Sequence, residues 1–382
     1  MSPPPRSAVW ARISTRAGFF SFGFMLSSWA PLAPLAKARM GLHDSEFGLA
    51  LLWFGVGSLI AMPIGSAAAS RFGCRSIILL SGPLVCACLF ALVWTNDVRV
   101  LSASLFLFGG GIGMTESAMN LQAAVVQRMH EESLMSGFHA WFSIGAIVGS
   151  AGVSTLLSLN FPGLQAVACV VGTMVLLWLF AGRHFIRKTG AGAKFRLGVP
   201  TPHVVWVGVL CLVAFLAEGA VLDWSGVFLT TQKAFSQAHA GYGYAVFAAT
   251  MALGRLSGDR IAHAVGGARV LLVGSIVAAA GLAALVSLSQ WMVLLLLFAV
   301  IGLGIANIVP LLFLQMSRQR RMPAELAMPV VATMGYAGML AGPAMLGGVA
   351  EAFGLPTSFL IVAGLLLVVA ASARIVSSDV NS

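Results

Sequence analysis

The chain has 382 residues, 59% of them hydrophobic and only 9% charged, with a net charge of +10. A typical soluble domain is about 25% charged, so this composition excludes a water-soluble globule and points to a polytopic membrane protein. Cys74, Cys86, Cys88, Cys169 and Cys211 are scattered through apolar sequence without zinc-ligand spacing, so they read as buried small residues, and no metal or other cofactor is implied.

A helix crosses a bilayer with about 20 apolar residues, and the charge-free intervals are close to that length or to twice it. Residues 17–36 lie between Arg16 and Lys37, 47–70 between Glu46 and Arg71, and 76–96 between Arg75 and Asp97; these are the first three predicted spans. The fourth runs from Val100 to Gln127, with Glu116 as its one charged residue. Ser133 to Gly182 holds two spans, divided by the breaker group Asn160-Phe161-Pro162-Gly163. A polar segment from Arg183 to His203 is the single long linker. Beyond it, spans are predicted over Val204–Leu229 and Gly241–Ala262, over 270–317 as two helices split at Ser287-Leu288-Ser289-Gln290, and over Leu326–Ala350 and Thr357–Ala373. The expected fold is all-α, with twelve transmembrane helices in two six-helix bundles, 1–185 and 203–382, joined by a linker over 186–202.

With twelve spans both termini share one side. That side collects Arg6, Arg12, Arg16, Arg71, Arg75, Arg128, Arg183, Arg187, Lys188, Lys194, Arg196, Arg260, Arg269, Arg318, Arg320 and Arg321, whereas the other has Lys37, Arg39, Arg99 and Lys233. The positive-inside rule makes the termini cytoplasmic, and it explains the net charge without a nucleic-acid partner. Ala36-Lys37-Ala38 has the look of a signal-peptidase site, but the apolar run before it exceeds the usual h-region of about 7–15 residues.

The halves resemble each other. Gly111 to Glu116 matches Gly302 to Asn307 at a shift of 191 residues, Gly145 and Gly149 match Gly338 and Gly342 at 193, Gly73-Cys74-Arg75 matches Gly267-Ala268-Arg269 at 194, and Ser28-Trp29 matches Asp223-Trp224 at 195. The narrow range of shifts argues for an internal duplication. The loop after the second span reads Ser66-Ala67-Ala68-Ala69-Ser70-Arg71-Phe72-Gly73-Cys74-Arg75, and Gly254-Arg255-Leu256-Ser257-Gly258-Asp259-Arg260 follows the same pattern in the second half. Gly338 to Gly348, with Gly342-Pro343 at its centre, resembles a small-residue packing motif. On these segments the chain resembles the major facilitator superfamily. Glu218-Gly219-Ala220-Val221-Leu222-Asp223-Trp224-Ser225 and Ser136-Gly137-Phe138-His139 are similar to a bacterial inner-membrane branch related to fucose permease.

The resemblance implies two parallel repeats around a midplane site, gate and conformational roles for Arg71, Gly73, Arg75, Arg255, Asp259, Arg260, Gly342 and Pro343, and a monomer. Ser66 and Ser70 stand where the family usually has Gly and Asp, so a gate salt bridge from that Asp is not expected.

Acidic residues inside spans are costly and mark pathways. Glu116 and Asn120 are four apart and share a helix face, which suits a protonatable carboxylate beside a substrate-binding amide or, more plainly, an interhelical packing pair. Glu218 and Asp223 are five apart, roughly 140° around the axis, so either Gly219 breaks the helix or one acid is structural. Asn307 occupies the position matching Glu116, and Pro310 weakens the helix beside it. His139 would relay protons or bond a neighbour. Trp29 and Trp224 would stack on a substrate ring or pack.

No Walker loop, Gly-x-Ser-x-Gly elbow or HExxH occurs, so an enzyme is not expected. The expected function is secondary active, proton-coupled transport of a small polar solute, a sugar or sugar derivative, across the inner membrane. The alternatives are a proton-coupled exporter of drugs or amphipathic metabolites, and a non-transporting membrane sensor.

Overall fold

The computed structural model describes residues 6–130, 134–187, 200–318, 322 and 324–378. Most of the predicted linker, and Arg320 and Arg321, lie outside the described residues. The fourteen α-helices are α1 (Arg6–Ser27), α2 (Ala33–Met40), α3 (Asp44–Phe72), α4 (Cys74–Trp94), α5 (Val98–Gln127), α6 (Met135–Ser158), α7 (Gly163–Ala181), α8 (Pro202–Gln232), α9 (Gly241–Val265), α10 (Gly267–Ser287), α11 (Trp291–Ile305), α12 (Ile308–Arg318), α13 (Ala324–Phe353) and α14 (Leu355–Ser378).

Among the described residues ten stretches are long and apolar enough to cross a bilayer, and one of these, Trp291–Met316, is α11 and α12 together, interrupted at Ala306-Asn307. The predicted first and eighth spans fall on α1 and α9, which are not among the ten. α1 spends its first turns on Arg6, Arg12 and Arg16, and its apolar part stops at Ser27, where the chain turns through 28–32. Pro31 has no N–H to continue the ladder there. α9 carries Arg255, Asp259, Arg260 and His263. Leu80, Leu176, Leu179, Met292, Leu296 and Phe353 each present more than 60% of their surface outward. A shell of such side chains is unfavourable in water and favourable against lipid, as a multi-pass membrane protein requires.

The contacts group the chain into two compact units. The first comprises Met1–Leu42, Ala50–Ala193 and Ser236–Ala245; the second comprises His43–Leu49, Lys194–Phe235 and Val246–Ser382. In the first, α1 packs on α6 and α4 on α5; in the second, α8 packs on α13, and α10 on α11 and α14.

The two units repeat one design down to single contacts. A Cβ on Gly145 would overlap the Phe20 carbonyl, and 193 residues later a Cβ on Gly338 would overlap that of Leu212. Gly109 lies as tightly on the Phe54 carbonyl, and 193 residues later Gly302 lies on that of Phe247. Gly73 and Gly266 (φ 87° and 91°) enter α4 and α10, and Asn160 and Gly354 (φ 63° and 85°) separate α6 from α7 and α13 from α14. The structural register thus pairs Gly73 with Gly266, not with Gly267, and Gly109 with Gly302, where the sequence match sets Gly111; at this register Glu116 stands opposite Val309 and not Asn307.

Candidate functional site

The second unit holds a polar cluster built on α8, α9 and the α11–α12 break. Thr201 caps α8, its Oγ1 accepting from the Val204 N–H at 3.4 Å, and Pro202 occupies the first turn. The helix is continuous through Gly219, so the two acids on it keep the directions of a regular helix. Val209, Leu212, Phe215 and Glu218 form a half-buried stripe at three-residue spacing, and from Gly219 to Leu229 every residue is buried. Glu218 is therefore the innermost accessible residue of that stripe.

The Glu218 carboxylate accepts from Arg255 Nη2 at 2.7 Å, the two side chains being 14% and 35% exposed. Arg255 Nε donates to the Ala306 carbonyl at 3.3 Å. Ala306 needs that donor: its helical partner would be the N–H of residue 310, and Pro310 has none. Asn307 Nδ2 donates to the Gly254 carbonyl at 3.0 Å, and its amide lies so close to Gly258 that a Cβ there would overlap it. One guanidinium thus neutralises a carboxylate inside a span and closes a backbone gap, which offsets the cost of holding either charge there.

Asp223 is 5% exposed, and no hydrogen bond or ion pair to it occurs among the described residues. Asp223→Asn should leave the thermal midpoint in detergent unchanged or slightly raised, because an amide costs less to bury than a carboxylate; a marked fall would show that the charge is held by a partner. Trp224 is fully buried, edge-on to Phe47 at 5.7 Å, and its Nε1 lacks an acceptor among the described residues. Trp29 is 2% exposed, in the turn between α1 and α2, where its carbonyl accepts from Leu32 and Ala33. Neither indole presents an open face in this conformation.

In the first unit Glu116 and Asn120 lie one turn apart on α5, both half-buried. Their neighbours tie α5 to its surroundings: Ser117 Oγ donates to the Met62 carbonyl at 2.8 Å, and Thr115 and Ser81 share a hydroxyl bond of 2.7 Å. His139 is exposed on the first turn of α6, with its ring edge-on to Phe19 at 5.2 Å. Gln122, not singled out from the sequence, is a buried stitch: it donates to Thr15 Oγ1 and accepts from the Ile186 N–H, both at 3.1 Å.

Among the gate candidates, Gly73 meets a backbone need. At φ 87° it turns the chain between α3 and α4, and a side chain would run into the Arg187 carbonyl, while the Arg75 N–H reaches the Ile186 carbonyl at 3.0 Å. Arg71 and Arg260 are exposed, and the Asp259 side chain lies outside the described residues. In the second unit the Pro343 carbonyl approaches to 2.5 Å of where a Cβ on Gly48 would stand, whereas at Gly342 a Cβ would meet only Leu216, at ordinary contact distance.

Among the described residues no group of His, Cys, Asp and Glu is placed to hold a metal ion. The chain matches the model of the Major Facilitator Superfamily over residues 17–326. It is 45% identical over 367 residues to an uncharacterized MFS-type transporter of Yersinia pestis, covering 96% of each chain. It is 26% identical to membrane protein MosC of Rhizobium meliloti, over 85% of this chain and 80% of that one. A variant of the nucleoside transporter NupG superposes with a TM-score of 0.76 over 96% of this chain and 100% of that one, at 14% identity, a likeness of fold. Such coverage, on a chain whose two units repeat each other contact by contact, assigns the protein: it belongs to the major facilitator superfamily of membrane transporters.

Proposed function

We propose that the chain is a proton-coupled secondary active transporter of the inner membrane, with both termini cytoplasmic, that moves a small polar solute by alternating access as a monomer. The observation that carries this reading is the Glu218–Arg255 pair at the inner end of the half-buried stripe of α8. A carboxylate there is reachable by a proton, and its protonation would free Arg255 Nη2 for an acceptor on the solute while Nε stays on the Ala306 carbonyl. Glu116, beside Asn120, is the corresponding proton acceptor of the first unit.

A donor such as Arg255 suits a solute rich in hydroxyl and carbonyl oxygens, which supports a sugar or sugar derivative. Resemblance to the fucose permease branch supports the same class, and NupG, named as a nucleoside transporter, brings ribose-bearing compounds into it. The test is uptake into proteoliposomes under an imposed pH gradient, with a panel of monosaccharides and nucleosides. Accumulation of one of them that collapses with the gradient is expected. Glu116→Gln and Glu218→Gln should each abolish accumulation yet retain counterflow exchange. Full accumulation by either variant removes that residue from the coupling, and solute binding without flux under any gradient would make the protein a sensor.

A further inference from the structure

α7 presents Val175, Trp178 and Leu179 on one stripe, and the same stripe continues through Gly182 into the short turn that carries Arg183. α4 faces it with Arg75 and Leu79, also one turn apart on one face. Between them lies a groove of about 380 Å³ whose walls are aliphatic and aromatic and whose two arginines stand at the same end. The indole of Trp178 rests on Gly82, where a Cβ would overlap its ring, so the groove floor is set by packing within the first unit. Val175 and Leu179 are 45% and 71% exposed, which opens the groove to the surface that α7 turns towards lipid. Neither guanidinium has a hydrogen bond or an ion pair among the described residues.

We infer that this groove is a binding site for an anionic phospholipid, one acyl chain lying along Val175, Trp178 and Leu179 and the phosphodiester held between Arg75 and Arg183. An apolar trough facing the bilayer fills with an acyl chain of any lipid. Two cations without partners among the described residues stand at the headgroup end and select among headgroups, and a guanidinium meets phosphate oxygens in a fork geometry that a lysine does not offer. Because Arg75 opens α4 and Arg183 follows α7, the bound lipid would clamp these two helix ends together. The membrane leaflet concerned is the one on the side of Arg71, Arg75 and Arg183.

The test reconstitutes the full-length protein in phosphatidylcholine vesicles containing rising fractions of phosphatidylglycerol or phosphatidylcholine with brominated acyl chains. Quenching of Trp178 is isolated by subtracting the signal of Trp178→Phe protein. Brominated phosphatidylglycerol should reach half-quenching at a lower fraction than brominated phosphatidylcholine, with each arginine contributing about fivefold. Arg75→Gln with Arg183→Gln should bring the two lipids to the same midpoint, and either single change should remove about half of the preference on a logarithmic scale. Val175→Phe, at an exposed position, should fill the trough and weaken the Trp178 signal for both lipids without reversing their order. Equal quenching by the two lipids in the unsubstituted protein overturns the inference, as does a preference that survives loss of both arginines. The first of these outcomes needs neither arginine variant to fold.

Discussion

Protein with Arg255→Leu should lose about 2–4 kcal/mol of stability, and adding Pro310→Ala should return part of that loss. The leucine leaves two groups unsatisfied. Glu218 keeps a carboxylate with its charge partner gone, and the Ala306 carbonyl loses the donor that stands in for the N–H Pro310 lacks. An unpaired carbonyl in such a place costs about 1–3 kcal/mol. Alanine at 310 supplies a backbone N–H at the position whose helical acceptor is Ala306, so it repairs the second defect and not the first. The four proteins form a double-mutant cycle, read as thermal midpoints in one detergent. The expected coupling is about 1 kcal/mol or more, since the two sites act on one acceptor. Strict additivity would show that Arg255 does not satisfy that carbonyl. Arg255→Lys should fall between, because an ammonium keeps the charge but cannot bridge both acceptors.

That pair also shows where sequence reasoning stops. Glu218 stands out in sequence because a carboxylate in a run of apolar residues has few explanations, and Arg255 stands out only as part of a loop-motif resemblance. Nothing in their spacing of 37 residues joins them. The one local signal was Pro310, whose missing N–H predicts an orphan carbonyl four residues earlier and so a donor from another helix. The direction of the acids was half legible: the 140° between Glu218 and Asp223 allowed a broken helix or divergent faces, and α8 is unbroken because a single glycine within a long, buried, well-packed helix is tolerated. The tryptophans show the opposite limit. Repeat-related positions identified Trp29 and Trp224 together, and periodicity cannot separate a residue lining a site from one packed at 0–2% exposure.

Span boundaries were the most legible feature, because a lipid environment demands a length of apolar chain and penalises every charge within it. The same rule shows why α1 and α9 stand apart. In each, arginines occupy helical turns and shorten the apolar run, and on α9 Arg255 is turned towards Glu218. The duplication was visible mainly through glycines, since these are the positions where one unit's geometry leaves no choice of residue. The sequence register slipped by one at Gly73, where aligning Arg75 with Arg269 favours Gly267 but the backbone, with φ 91°, selects Gly266, and by two at Gly111, where the Gly-x-Gly spacing repeats in Gly109 to Gly113 and only the contacts select Gly109 as the partner of Gly302.

Those glycines give the second large effect. Gly145→Ala in α6 and Gly338→Ala in α13 should each destabilise the protein by about 1–3 kcal/mol, whereas Gly152→Ala and Gly348→Ala on the same two helices should be neutral or slightly stabilising. At Gly145 and Gly338 the added methyl would sit inside the van der Waals shell of a backbone carbonyl, that of Phe20 or Leu212, which no rotamer change relieves; the helices must part. At Gly152 and Gly348 nothing lies within 4 Å of the added atom, and alanine is the better helix former. Loss of packing at the first pair is costly because helix association in lipid rests on close van der Waals contact and not on a hydrophobic drive. Thermal unfolding of the four variants in one detergent, with monodispersity checked by size exclusion, separates the cases. Equal midpoints at all four positions would mean that these crossings yield without cost, and the contact-by-contact repetition of the two units would then carry no energetic weight.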